Sequence, residues 1–290
     1  MSKPAADIDL PVALVRDLLH AQHPDIAQLP LAEAASGWDN AIFRLGEELA
    51  VRLPRRAVAA ALLENERRWL PLLHARLPLP VPNPIRAGLP QDPYPWAWSV
   101  TPWIAGETAD RAVPDRDQVK VLMAFLDALH TQPPADAPRN PCRGVPLAQR
   151  QTAFTRYVTV LTGRGRRVDD GLLELWADAV ERPIDVSPTW IHGDLHAHNV
   201  LVMHGRIVGV IDWGDMAQGD RATDLASVWM LFAERRSREE AIAACGSVTE
   251  HTWQRARGWA LLNCLAILHA EDPALVGLAE RTLQCLLDGP

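Results

Sequence analysis

The chain has 290 residues and a formal net charge of -7, with 29 Lys and Arg against 36 Asp and Glu. This balance argues against a protein that binds nucleic acid regardless of sequence, because such binding needs a cationic surface. With 48% hydrophobic and 22% charged residues, the composition is that of a globular protein and excludes global disorder. The basic residues are almost all arginine, since Lys3 and Lys120 are the only lysines.

The cysteines and the first residues indicate a protein of the cytoplasm. The four cysteines are scattered without CxxC spacing, which argues against a zinc knuckle and against a disulfide framework. Residues 1–10 lack a basic segment followed by an apolar run, and no later stretch has about 18 uninterrupted apolar residues. We therefore expect a cytoplasmic location, and neither a membrane nor a nucleic acid among the partners.

The N-terminal part begins with a predicted helix and continues with predicted strands. Residues 11–22 follow a proline start and place their apolar side chains at helical spacing. Three short segments around 27–35, 38–45 and 48–53 alternate with turn-forming pairs that contain glycine. They predict three strands that form an antiparallel meander.

A second helix and a further strand complete this part. The stretch from Arg56 to Arg76 is rich in helix formers, and the proline-rich residues 77–84 end the helix. After a short predicted strand at 85–89, residues 96–104 predict an edge strand that runs into a connector. We place the boundary between an N-terminal domain, 1–104, and a C-terminal domain, 105–290, at this point.

The remainder of the chain is predicted to be mostly helical. Apolar spacing of i, i+3 and i+4 predicts helices in seven stretches, 117–131, 146–161, 170–181, 222–234, 238–246, 251–270 and 273–287. Residues 189–215 are the exception, because β-branched runs around the turn at Met203 to Gly205 predict a small hairpin. The fold class is therefore α+β, with an antiparallel sheet in a small N-terminal domain and a mostly helical C-terminal domain.

The residues best suited to chemistry lie in two short motifs, HGDLHAHN at 192–199 and DWGD at 212–215. Asp194 and Asn199 have the D-x-x-x-x-N spacing of a phosphotransferase, in which one carboxylate orients the attacking hydroxyl while an Asn and a second Asp hold magnesium. The protein-kinase signature has the same order, with H-R-D-L-x-x-x-N followed by D-F-G. Here Asp212 opens the second motif.

Two other interpretations of these residues stay open at this point. His192, Asp194, His196 and His198 are of the types that bind transition metals, which would suit a zinc or two-metal hydrolase. Alternatively the polar side chains cap turns and satisfy buried backbone groups. Turn capping explains a single histidine well, but it explains poorly why three magnesium-compatible side chains flank apolar strands.

The order of the motifs resembles the aminoglycoside phosphotransferase/choline kinase family. The resemblance rests on HGDLH with Asn199, on IDWGD at 211–215, and on Gly219-Asp220 followed by DLA at 224–226. It implies a bilobal protein-kinase-like fold with a small N-lobe and a mostly helical C-lobe. It further implies that Asp194 is the catalytic base, that Asn199 and Asp212 bind magnesium, and that Asp224 braces the catalytic loop.

The resemblance extends to the N-terminal domain. The turn at 36–40 would cover the nucleotide phosphates, with Ser36, Gly37 and Asn40 at the cofactor site. The third strand would carry the phosphate-binding lysine, but this chain has Arg52 there, as in the subgroup whose strand reads V-R-L-P. An exposed strand arginine paired with a nearby glutamate is the alternative for Arg52.

Two further positions at the cofactor site follow from the same resemblance. Glu64 and Glu66 lie two residues apart and cannot share a helix face, and we expect Glu66 to pair with Arg52. The backbone from Thr101 to Trp103 would read the purine edge.

The sequence therefore predicts a magnesium-dependent small-molecule kinase that uses ATP or GTP as the phosphate donor. The net charge permits a cationic hydroxyl acceptor such as an aminoglycoside. Acceptors that resemble choline, amino sugars, amino acids or macrolides are the alternatives within the same reaction. A nucleotide-binding pseudokinase and a metal-dependent hydrolase are the alternatives of a different class.

Overall fold

The N-terminal sheet has the predicted antiparallel meander at its centre. The computed structural model describes residues 5–271 and 273–289, apart from the side chains of residues 35 and 36. After helix α1 (Val12–Gln22), the five-stranded sheet has the order β1-β2-β3-β5-β4. Its strands are β1 (Leu31–Ser36), β2 (Asn40–Leu45), β3 (Leu49–Pro54), β4 (Arg86–Gly88) and β5 (Trp98–Pro102).

The position of β5 corrects one expectation. Residues 96–104 were expected to form an edge strand, but β5 lies between β3 and β4, and β4 is the edge. The apolar and aromatic side chains of β5 fit this interior position, because Trp98 and Val100 are fully buried. Helix α2 (Ala57–His74) connects β3 to β4 and is the second predicted helix, two residues shorter at its end than expected.

The C-terminal part is mostly helical, as expected. Its helices are α3 (Gln118–Leu129), α4 (Gln151–Gly163), α5 (Asp170–Glu181), α6 (Ala222–Leu225), α7 (Ser227–Leu231), α8 (Arg235–Ala244), α9 (Glu250–Ala270) and α10 (Val276–Leu287). The single helix expected at 222–234 is thus two short helices, α6 and α7. Together with the antiparallel N-terminal sheet, this confirms the predicted α+β class.

Short strands position the loops between these helices. β8 (Val200–Met203) and β9 (Arg206–Val210) form the predicted hairpin, and β6 (Glu107–Thr108) adds a third strand to it. β7 (Thr189–Ile191) pairs instead with β10 (Ala217–Gly219). The pairing of β7 with β10 brings the segments that follow β7 and β9 close to each other.

The buried apolar residues form two clusters. One lies in the N-terminal sheet and α1, and includes Leu18, Phe43 and Val51. The larger one joins the C-terminal helices and also includes Trp69 and Leu70 of α2. Helix α2 therefore packs against the C-terminal helices, and the domain boundary at residue 104 stays a prediction. No helix within 5–271 and 273–289 has both the length and the apolar character needed to span a bilayer.

Candidate active site

The loop that follows β7 is fixed by a buried carboxylate. Asp224 is fully buried on α6, where its Oδ2 accepts a hydrogen bond from the backbone N–H of His192 at 2.8 Å. Its Oδ1 accepts one from the backbone N–H of Gly193 at 2.9 Å, and the His130 ring contacts Oδ2 at 3.2 Å. Asp224 thus braces the loop, as the family resemblance implied.

Gly193 meets a steric requirement of this loop. Its φ of +87° lies in the left-handed region that favours glycine. A Cβ at this position would lie 2.5 Å from the backbone oxygen of Asp215. The second residue of the HGD motif therefore has to be glycine for the loop to approach the segment after β9.

Asp194, the predicted catalytic base, is held by three side chains. Its Oδ1 accepts from Nη2 of Arg143 at 2.6 Å, and its Oδ2 lies 3.3 Å from Nε2 of His196 and 3.4 Å from Nδ2 of Asn199. Burial alone raises the pKa of Asp194, but the charge of Arg143 and the hydrogen bond from His196 outweigh it and hold the pKa well below its usual range. The carboxylate is therefore ionised and oriented.

His192 connects the two motifs. Its Nε2 lies 3.0 Å from the backbone oxygen of Ile211, and its ring contacts Trp213 at 4.7 Å between centroids. Asp212 lies between these two residues and has a left-handed φ of +62°, which is uncommon for a residue other than glycine. Packing on both sides of Asp212 therefore maintains a strained backbone at the start of the second motif.

The electrostatic surroundings of Asp212 suit a cation. The side chain is 58% exposed, yet loss of hydration on its protein side raises its pKa, Arg52 opposes the rise, and Asp194 adds to it. Asn199 is buried, and its Nδ2 donates to the backbone oxygen of Asp194 at 2.8 Å. Its Oδ1 has no hydrogen bond to the described part of the chain. A carboxylate and an amide oxygen that make no hydrogen bond to the described residues fit a magnesium ion that keeps several other ligands.

The histidines of the first motif do not form a metal centre. His198 contacts Asp110 at 3.2 Å, His192 contacts a backbone oxygen, and His196 contacts Asp194. Within the described residues, no group of three or more His, Cys, Asp or Glu side chains is arranged to hold a metal ion. This geometry gives no support to the hydrolase interpretation.

Arg52 points into the protein rather than into solvent. It forms an ion pair with Glu66, and the two side chains are 5% and 1% exposed. Its Nη2 also lies 3.9 Å from Oδ1 of Asp212. Glu64 instead pairs with Arg67 at 3.2 Å and is 59% exposed. The structure thus brings Arg52, Glu66 and Asp212 together, and it excludes an exposed strand arginine.

Glu66 is fully buried, and only one of its two carboxylate oxygens has a partner among the described residues. Burial raises its pKa, and the ion pair with Arg52 opposes that rise. Its Oε2 has no hydrogen bond to any described residue. Loss of the ion pair would leave a buried carboxylate without a partner, which is costly. Glu66 therefore holds the Arg52 guanidinium in one orientation.

The turn at 36–40 joins β1 to β2, as expected. The N–H of Gly37 donates to the backbone oxygen of Asn40 at 2.8 Å, and Arg55 donates to the oxygen of Gly37 at 3.1 Å. The N–H of Gly37 is therefore engaged inside the turn. Asn40 is 8% exposed, and its Oδ1 has no hydrogen bond to the described chain. The Ser36 side chain lies outside the described residues.

The end of β5 requires a correction. The N–H of Trp103 donates to the backbone oxygen of Glu48 at 2.7 Å, so this donor is already engaged and cannot read a purine. Thr101 is paired with Ala50 of β3. Because alternate residues of an antiparallel strand face the same neighbour, the backbone groups of both Thr101 and Trp103 face β3.

The backbone groups of Val100 and Pro102, which alternate with Thr101 and Trp103, face away from β3. The backbone oxygen of Val100 accepts from the N–H of Ile85 at 2.8 Å, on the side of β4. By the same alternation, the C=O of Pro102 faces this side, beyond the end of β4. The two sides of β5 thus offer different backbone groups, which the sequence could not show without the register.

One group at the site was missed by sequence reasoning. Arg143 contacts both Asp194 and Asp215, and Asn140 donates to Asp215 at 2.9 Å. These two residues lie in a loop before α4 that carries no recognised motif. The turn-forming pairs Asn140-Pro141 and Arg143-Gly144 were the one available signal, and they predict a loop without indicating its position.

Comparison with known proteins agrees with this geometry. A family model described as "phosphotransferase enzyme family" matches residues 30–259. Aminoglycoside 3'-phosphotransferase from Escherichia coli is 30% identical over 146 residues, which are 48% of this chain and 54% of that relative. The chain thus spans about half the length of the relatives it matches first.

Solved structures share the fold over nearly the whole chain. The GDP complex of aminoglycoside 2'-phosphotransferase-IIIa has a TM-score of 0.72 at 16% identity, and the alignment covers 97% of this chain and 100% of that one. Macrolide 2'-phosphotransferase type I has a TM-score of 0.58 at 24% identity, with 95% of this chain and 98% of that one covered. Likeness at these identities establishes the fold, which is the one predicted.

Proposed function

The chain belongs to the phosphotransferase enzyme family, and from this premise we propose that it is a small-molecule kinase. It would transfer the γ-phosphate of ATP or GTP to a hydroxyl of a small acceptor, with magnesium. The observation that carries the proposal is the convergence of Asp194, Asn199 and Asp212, joined by the contacts of Asn199 to Asp194 and of His192 to Ile211. This is the set of groups that phosphoryl transfer needs.

In the proposed reaction, Asp194 orients the acceptor hydroxyl. The hydroxyl oxygen forms a bond to the γ-phosphorus, the bond from this phosphorus to the bridging oxygen breaks, and the nucleoside diphosphate leaves. The hydroxyl proton passes to the Asp194 carboxylate. Because Arg143 and His196 keep Asp194 ionised, the carboxylate is ready to accept a hydrogen bond from the acceptor at neutral pH.

Asn199 and Asp212 would hold the magnesium ion. When bound, the ion neutralises the charge that develops on the β- and γ-phosphate oxygens. On the protein side, the strained backbone of Asp212 aims its carboxylate, and the amide of Asn199 is fixed because its Nδ2 donates to Asp194. Arg52 would contact the phosphates from the same side, since it lies next to Asp212.

Arg52 is proposed to replace the lysine that the fold normally has on this strand. The guanidinium has five donors in a planar fork, so one nitrogen can remain on Glu66 while others reach a phosphate oxygen. A lysine ammonium would have to share one nitrogen between these partners. The dominance of arginine in the composition thus has a defined consequence at the cofactor site.

The N-terminal sheet would enclose the nucleotide. With Gly37 engaged, the amides of Trp38 and Asp39 at the tip of the turn are the donors we propose for the phosphates, and Ser36 and Asn40 flank them. The purine edge would be read by the C=O of Pro102, which lies within the predicted range 101–103, and by the N–H of Ile104 in place of that of Trp103. The division into lobes 1–104 and 105–290 would place the reaction between them.

We also propose a cytoplasmic location and a class of acceptor. A cytoplasmic location suits the four cysteines, which are all free. The acceptor is a small hydroxyl compound, and the names of the relatives and neighbours make aminoglycosides and macrolides the first candidates. A pseudokinase is disfavoured because the buried Arg52–Glu66 pair is intact.

A coupled assay tests the proposal. The purified protein is incubated with magnesium and either ATP or GTP, and with a panel of aminoglycosides, macrolides and small amino alcohols. We expect acceptor-dependent formation of nucleoside diphosphate, and a phosphorylated acceptor by mass spectrometry. Nucleotide that binds without any acceptor-dependent turnover would instead support a pseudokinase, and turnover of a substrate without nucleotide would support a hydrolase.

A further inference from the structure

The loop that carries Arg143 is folded around a single asparagine. Oδ1 of Asn140 accepts hydrogen bonds from the backbone N–H groups of Cys142, at 2.8 Å, and of Arg143, at 3.1 Å. Its Nδ2 donates to Oδ1 of Asp215 at 2.9 Å. One side chain therefore shapes the loop and attaches it to the segment after β9.

The loop is also fixed on its other side, at Gly144. The N–H of Gly144 donates to Oγ1 of Thr223 at 3.1 Å, and its C=O accepts from the N–H of Asp220 at 2.9 Å. Its φ is +65°, and a Cβ there would lie 2.8 Å from the Cα of Gly219. The hydrogen bonds of the Gly144 backbone thus fix the chain directly after Arg143.

The guanidinium of Arg143 uses three different nitrogens for three acceptors. Nη2 donates to Oδ1 of Asp194 at 2.6 Å, Nε to Oδ2 of Asp215 at 3.3 Å, and Nη1 to Oδ1 of Asn263 on α9 at 3.4 Å. The side chain is 25% exposed. A planar fork held at three points has little freedom to rotate, so its contact with Asp194 is directional.

The contacts of Asp194 leave one place for an acceptor. An ionised carboxylate has about four acceptor positions. His196 and Asn199 contact Oδ2, at 3.3 Å and 3.4 Å, and Arg143 occupies one position of Oδ1. His196 accepts the backbone N–H of His198 on Nδ1 at 3.2 Å, so its Nε2 carries the hydrogen that faces Asp194. The remaining position is on Oδ1, beside Arg143.

We propose that Arg143 is a positioning residue, which fixes the Asp194 carboxylate so that Oδ1 receives the acceptor hydroxyl. This inference rests on the proposed kinase function and adds a residue to it. Asn140 and Asp215 act through Arg143 by holding its loop and its guanidinium. Arg143 does not contact the nucleotide site, so its loss changes turnover and not nucleotide binding.

The test compares Arg143→Ala and Arg143→Lys with a control variant, Arg182→Ala. Arg182 has similar exposure, 31%, and pairs with Asp178 at the end of α5, away from the motifs. The probes are magnesium with ATP or GTP, first with kanamycin or whichever acceptor of the panel the wild type phosphorylates fastest, and then with water alone. We expect Arg143→Ala to lower kcat about 100-fold, as misplacement of a reacting group does, with unchanged nucleotide Kd and Tm. Arg143→Lys should recover part of the loss.

Two further measurements separate positioning from a merely structural role. Guanidinium ion, added far below unfolding concentrations, should restore part of the kcat of Arg143→Ala and leave Arg182→Ala unchanged. In a double-mutant cycle, Asp215→Asn should lower kcat in the wild type but add little to Arg143→Ala.

The outcomes distinguish the inference from the function it rests on. Wild-type kcat in Arg143→Ala overturns the inference and leaves the kinase function standing. The inference is also overturned if Arg143→Ala lowers kcat, Tm and nucleotide affinity together and guanidinium does not restore kcat. A wild-type protein that binds nucleotide but transfers phosphate neither to water nor to any of the aminoglycosides, macrolides and small amino alcohols of the panel contradicts the proposed function, and the inference with it.

Discussion

Replacement of Asp224 tests how the loop that follows β7 is supported. The carboxylate is fully buried and accepts the N–H groups of His192 and Gly193, at 2.8 Å and 2.9 Å. Asp224→Ala removes both acceptors and leaves two backbone donors buried without a partner. The loop would then lose its attachment to α6 while the rest of the C-terminal core stays unchanged.

The magnitude follows from the number of stranded donors. A buried donor without a partner costs about 1–3 kcal/mol, so Asp224→Ala should lower the free energy of unfolding by roughly 2–6 kcal/mol. Asp224→Asn keeps one oxygen and places an amide NH2 against the second donor, so we expect about half of that loss. Asp178→Ala, which breaks a surface pair with Arg182, should cost less than about 1 kcal/mol.

Urea unfolding followed by tryptophan fluorescence measures these differences, and turnover is measured on the same samples. We expect the stability order wild type, Asp224→Asn, Asp224→Ala, with turnover falling in the same order. An ordinary surface substitution changes the free energy of unfolding by up to about 0.5 kcal/mol. If Asp224→Ala changes it by no more than this, the loop is held by other contacts and the reasoning fails.

Two further predictions concern the same region. Gly193→Ala should abolish measurable turnover, because its Cβ would lie 2.5 Å from the backbone oxygen of Asp215 and its φ is +87°; wild-type turnover in this variant, with Gly163→Ala on open surface as the control, would refute the steric argument. Burial raises the pKa of Cys264 to about 12, whereas Cys142 is exposed beside Arg143. A thiol reagent at mildly alkaline pH should therefore modify Cys142 rapidly and Cys264 only after unfolding, and a fast phase that persists in Cys142→Ser would contradict this assignment.

Some of the site could be predicted because its residues are close in sequence. Asp194 and Asn199 share one short loop, and Asp212 follows the hairpin that the same loop enters. The helices were predictable for a similar reason, since the spacing of apolar residues is a local property. Local patterns thus identified the motifs and most of the elements that carry them.

Features that depend on distant pairing could not be predicted in this way. Whether Trp103 or Pro102 faces away from β3 depends on the register of two strands about 50 residues apart in the chain. The choice of Glu66 over Glu64 depends on which side of α2 packs against β3, and it was made from the family resemblance because no local pattern distinguishes the two. The strands β6 and β10 have two and three residues, too few for a period-2 pattern.

Arg143 shows the same limit at the centre of the site. It lies 51 residues before Asp194, in a loop whose sequence predicts only a turn. Its contact arises because Gly144 packs on the turn at Gly219 and Asp220, while Asn140 bonds to Asp215. A polar residue in an irregular loop has no periodic pattern, so the fold alone reveals its place.

The most direct test of the proposed chemistry is a comparison of nucleotide binding and phosphate transfer in Asp194→Asn. The substitution keeps the size of the side chain and removes the charge that orients the acceptor hydroxyl. We predict unchanged Kd for magnesium with ATP or GTP, and a loss of transfer to acceptor of roughly 100- to 10,000-fold, the usual contribution of a general base. Transfer at the wild-type rate would contradict the assignment of Asp194 and with it the site described above.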